Sequence, residues 1–93
     1  MIQKISAPVS VDLIFDHRQR TVFPKEVIWE GKTYPILKIG LHHTYRAGRI
    51  LFHVFSVASG NPPTGGQALF FRLVLDTETL HWRLEEISDG LSN

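Results

Sequence analysis

Cysteine is absent from this 93-residue chain, which removes disulfides, thiolate nucleophiles and Cys-ligated zinc together. Acidic residues are missing from its centre, with no Asp or Glu from residue 31 to residue 75. No stretch approaches the roughly 20 apolar residues of a membrane span, and residues 1–8 lack the apolar core of a secretory signal. The expectation is a cytoplasmic protein without membrane contact. Sustained helical spacing is lacking as well, so nothing in the pattern calls for a helix.

What is present is period-two alternation. At 93 residues and 43% apolar content the chain has enough bulk for one core, whereas two cores would each bury too little surface to offset chain entropy. Val9, Val11, Leu13 and Phe15 share one face of a first strand over residues 9–15, ahead of a polar turn at 16–19. A second strand spans 21–29, with Pro24 marking an edge or bulge because it has no N–H to give the ladder. Glu30-Gly31 forms a tight turn, glycine taking the positive φ. A long hairpin follows, 36–45 and 49–57 about Arg46-Ala47-Gly48, read as a three-residue turn closed by a glycine bulge. That register pairs Tyr45 with Arg49 and places His43 beside His53; a slip of one residue would exchange His42 for His43.

Residues 59–67, with Pro62-Pro63 and Gly65-Gly66, read as a mobile loop. A last hairpin joins 69–75 to 80–87 through 76–79, setting Phe71, Leu73 and Leu75 opposite Leu80, Trp82 and Leu84. The tail 88–93 is expected to fray. The fold class is all-β: a single domain, residues 1–93, of about six antiparallel strands in a meander, curled into a small barrel or half-open roll. Residues 50–55 are apolar on both faces, which points to a strongly curled sheet or to cover by a second copy, a homodimer.

Catalytic patterns are thin. No serine is framed by glycines on a strand-to-helix elbow, and Ser56 falls on the opposite strand face from His53. Glu85 and Glu86 are sequence neighbours and diverge. Gly65-Gly66 precedes a strand, so it offers no helix N-terminus for a phosphate. His42, His43 and His53 resemble metal ligands in type, but adjacent strand residues point apart and the hairpin has no carboxylate. The expectation is a protein that is not an enzyme and takes no metal or cofactor.

Charge is more informative. Residues 31–75 carry five positive groups and no negative one, while residues 76–93 carry five negative groups against Arg83 alone. If the two segments are distant, the molecule has a positive and a negative end; if adjacent, the field largely cancels. Trp29, Tyr34, Tyr45, Phe52 and Trp82 interleave with Lys32, Lys38, Arg46 and Arg49, a mixture that small barrels use to stack bases and follow phosphates. Lys32, Lys38, Tyr45, Arg46 and Arg49 are therefore the candidate nucleic-acid-binding residues. The alternative is a protein-interaction or homodimerisation module.

Residues 8–15, the run Val27-Ile28-Trp29-Glu30-Gly31-Lys32-Thr33-Tyr34, the run His53-Val54-Phe55-Ser56-Val57, and Phe71-Arg72-Leu73 ahead of 76–84 carry the patterns W-x-G-x-x-Y and D-x-x-T-x-x-W. In these the chain resembles a bacterial family of short all-β domains of unknown function, related to domains associated with Y-family-type mutagenic polymerases. The resemblance implies a bacterial cytoplasmic setting and a DNA-related neighbourhood. Its markers are turn and core positions, so no functional residue is carried over, and the Pro/Gly loop departs from the pattern.

Overall fold

The alternating segments form six strands: β1 (Ile2–Asp16), β2 (Thr21–Trp29), β3 (Lys32–Ala47), β4 (Ile50–Ser59), β5 (Phe70–Asp76) and β6 (His81–Ser88). They pair in sequence order, all antiparallel, and β6 returns to β1 to close the ring. These facts come from a computed structural model, which describes residues 2–59 and 69–88. Among the described residues no helix is long and apolar enough to cross a membrane.

Two long strands make the closure. β1 pairs with β6 through Val9 and with β2 from Ser10 onward. β3 pairs with β2 from Lys32 to Pro35 and with β4 from Ile36 to Ala47. Each therefore serves two sheets and bends where it changes partner, the usual way a sheet turns a corner. Register shifts lie within a few residues of these changes, between Lys4 and Ala7 and between Asp12 and Leu13 on β1 and between Ile36 and Lys38 on β3. At the first of these Ser6 has φ 54, and the Arg83 guanidinium donates to its hydroxyl at 3.1 Å.

Inside the ring, Val27, Phe55, Val57, Phe71, Leu73, Trp82 and Leu84 form the core. Cross-strand pairing puts Phe55 beside Leu73 and Leu75 beside Trp82, so the period-two pattern of β4, β5 and β6 delivers one bulky side per strand to the same interior. Each fully buried side chain of this size contributes about 1.5–3 kcal/mol. Tyr34 meets Phe71 edge-on at 5.2 Å.

Several expectations need correction. β1 begins at Ile2 rather than at residue 9, because its first half gains a ladder from β6 that its own weak alternation does not announce. Leu80 belongs to the β5–β6 turn, and a register shift after Arg72 sets Phe71 opposite Ile87. Ser59 and Ser88 lie in strands, not in the loop or tail. Ser59 is buried; its N–H donates to the Leu69 carbonyl at 2.8 Å and its hydroxyl accepts from the Leu69 N–H at 3.0 Å. The remaining residues of the expected loop and tail, 60–67 and 89–93, lie outside the described residues.

The β3–β4 register also differs, Tyr45 opposing Phe52 instead of Arg49, a shift of three residues. Ala47 opposes Ile50 across a two-residue Gly48-Arg49 turn, with Gly48 at φ 61 and Arg49 outside the positive-φ set. A glycine at the first central position suits a type II′ turn, whose twist matches that of the flanking strands. The consequence is that His42, not His43, joins His53 on the inner face.

Candidate functional site

Beyond its pairing with β2, β3 continues as an arm paired with β4 alone; β4 is itself paired with β5 from Phe52 to Ala58, so only the tip beyond Tyr45 and Phe52 is two-stranded. The exposed edge of β3 runs from Ile36 to Ala47, and among the described residues no strand pairs with that edge. Every residue from 41 to 49 is exposed. Strand alternation sorts the side chains: Leu41, His43 and Tyr45 face outward, while His42, Thr44 and Arg46 lie on the side continuous with the core.

Tyr45, Arg46 and Arg49 come together at the tip of this arm, but not on one face. Tyr45 opposes Phe52 and stacks on it at 4.9 Å, whereas Arg46 opposes Leu51 on the other side. Lys38 sits lower, paired with Ala58 beside a register shift. Lys32 lies at the far end of the 16-residue strand, against Trp29 at the β2–β3 turn. The structure thus groups three of the five candidates and separates Lys38 and Lys32 from them. Of the interleaved aromatics, Trp29, Tyr34 and Trp82 pack in or against the core, leaving Tyr45 and Phe52 on the arm.

The acidic segment lies beside the basic one. β5 runs next to β4, and the β5–β6 turn is tied to the arm through Thr77, whose N–H and hydroxyl both donate to the Leu51 carbonyl at 3.2 and 2.7 Å. Asp76 opposes Phe52. Arg72 pairs with Glu86 at 3.6 Å, while no ion pair among the described residues engages Lys38, Arg46 or Arg49. Positive charge is therefore concentrated on the arm's edge and tip, flanked by acidic groups two strands away.

A ring ladder connects the arm to the core. Trp82 meets Phe55 at 5.7 Å, Phe55 stacks on His42 at 4.1 Å, and His42 Nε2 lies 2.8 Å from His53 Nδ1 in a shared hydrogen bond. Burial pushes the His42 pKa below 6.5, with His53 and then His43 adding to the effect. Among the described residues no cluster of three or more His, Asp or Glu is spaced to hold a metal ion.

Two surface depressions flank the arm. One, of about 330 Å³, runs past Lys38, Ser56, Phe70 and the Arg72–Glu86 pair. The other, of about 530 Å³, lies below the Tyr45–Phe52 stack and mixes Pro8 and Val74 with Asp76, His81 and Arg83. The free edge of β3 is the feature that sequence reasoning missed. Pro24, expected at an edge or bulge, pairs with Leu13 at the β1–β2 register shift and gave no signal for that edge. No protein-family model matches the chain, and no curated protein or solved structure is significantly similar to it.

Proposed function

We propose that this chain is a noncatalytic protein-interaction module that docks its partner on the β3–β4 arm. The observation that carries this reading is the arm itself: residues 41–49 are all exposed, one backbone edge has no partner strand among the described residues, and Leu41 and Tyr45 present apolar surface at 56% and 45% exposure. An unpaired edge with apolar side chains is a surface that other chains recognise. Nearby acidic groups, Asp76 above all, dilute the positive field that a purely electrostatic ligand would need.

The test is selection against the intact chain from a library displaying both linear peptides and folded domains. Selected ligands should lose binding when Leu41 and Tyr45 are both replaced by Glu. Ligands indifferent to that change sink the reading.

A second reading, single-stranded nucleic acid held at the tip, is favoured by the stacked Tyr45–Phe52 rings beside Arg46 and Arg49, which form no ion pair among the described residues. The DNA-related setting implied by the family resemblance agrees with it. Fluorescence anisotropy of a labelled oligonucleotide would then weaken with salt, and the Arg46→Ala/Arg49→Ala variant would flatten the slope by about 0.7 per lost phosphate contact. No salt-sensitive binding at low ionic strength removes this reading.

A further inference from the structure

We infer that the free edge of β3 is a strand-addition site for an extended acidic peptide segment of a partner protein, with apolar residues alternating with Asp or Glu. The inference rests on the protein-interaction reading and names the form and chemistry of the ligand.

The edge divides into two parts. Between Ile36 and Leu41 it is interrupted by register shifts, after Ile36 and again after Ile39, and carries Lys38. Bulges and lysines are devices that protect a sheet edge from indiscriminate pairing. From Leu41 to Ala47 the ladder with β4 is regular, and this run has neither proline nor lysine. The protected and unprotected parts abut, so a seven-residue template is left open. Main-chain hydrogen bonds along such an edge supply affinity, and the alternating side chains supply specificity.

The side chains beside that template define the ligand. On the outer face an incoming strand would run beside Leu41 and Tyr45, which suits apolar residues. On the other face it would meet His42, Thr44 and Arg46, with Arg49 at the turn, which suits carboxylates; Lys38 lies on the Leu41 face, paired with Ala58. Residues of one strand alternate between faces, so the matching segment alternates apolar with acidic positions. A second copy of β3 fits poorly. Antiparallel self-pairing centred on His43 would bring Lys38 of each copy towards the Gly48-Arg49 turn of the other, and like charges facing across a ladder are destabilising.

The probe is a fluorescein-labelled seven-residue peptide alternating valine and glutamate, titrated into the full chain. Amide chemical shifts should move along residues 39–47. Arg46→Glu/Arg49→Glu should weaken binding at least tenfold, and a peptide N-methylated at every second residue on its pairing side should lose it. A valine–lysine peptide and an oligothymidylate should not displace the probe. No shift in β3, binding that survives N-methylation in both alternate registers, displacement by the oligothymidylate, or a dimeric mass that vanishes on Leu41→Pro each overturns the inference. If library ligands require Leu41 and Tyr45 while this peptide fails, strand addition is wrong and arm docking stands. If neither binds through the arm, the underlying reading fails too.

Discussion

Leu80 occupies the left-handed region at φ 63 with 71% of its surface exposed, so it has a backbone cost and little burial to offset it. It closes a turn in which Asp76 Oδ1 accepts from the N–H groups of Glu78 and Thr79 at 2.9 and 3.3 Å. Asp16 does the same for Arg18 and Gln19, and Arg20 closes that turn at φ 53. Asparagine tolerates this backbone region better than leucine, so Leu80→Asn is expected to stabilise the fold by about 0.5–1 kcal/mol, read as a higher urea midpoint at unchanged slope. His42 supplies a pH dependence. Its pKa is lowered from 6.5 in the folded chain, so on acidification the unfolded chain takes up a proton first. The stability from neutral His42 is therefore complete above 6.5 and lost as pH falls through the lowered folded value. Its side chain keeps much of its solvent contact, so the loss is modest. Urea midpoints should drop between about pH 7.5 and about pH 5, with a smaller drop in His42→Gln.

At the scale of elements, the arm depends on a single glycine. A Cβ at Gly48 would meet nothing within 4 Å, so substitution there is penalised by its φ of 61 and not by crowding. Gly48→Val should cost about 1–2 kcal/mol, concentrated in the arm because residues 41–49 contribute no buried side chain. Hydrogen exchange should show faster amides at the upper part of β3 with little change in β5 and β6. Equal loss of protection throughout would mean that arm and barrel are one cooperative unit. The glycine was legible as a turn residue in the sequence. Whether it stood first in a two-residue turn or third in a three-residue turn was not, because both place a glycine at positive φ, although they set Tyr45 opposite Phe52 in one case and Arg49 in the other.

For the whole molecule, the two sheet-switching strands have an energetic consequence. Neither sheet can open without pulling β1 or β3 out of the other, so unfolding should be a single transition. Leu84 is completely buried in the shared core, and Leu84→Ala should cost about 2–5 kcal/mol, a large share of the roughly 5–15 kcal/mol of a small domain. Trp82 reports on β6 and Trp29 on β2. Their fluorescence and far-UV circular dichroism should shift to the same lower midpoint. Separate midpoints would show that the two sheets melt independently.

The sequence by itself determined the strand class, the six segments, most turns and the inward faces of β5 and β6, because these follow from local alternation and from the φ that glycine permits. It also determined where charge is concentrated. Only the tertiary structure decided what lies beside that charge. The acid-free stretch and the acidic C-terminal segment meet because β5 pairs with both β4 and β6, a relation between residues far apart in sequence. The early start of β1 and the edge of β3 that has no partner strand among the described residues have the same origin. Each depends on which strand supplies the second ladder, and alternation specifies a strand's faces without specifying its edges.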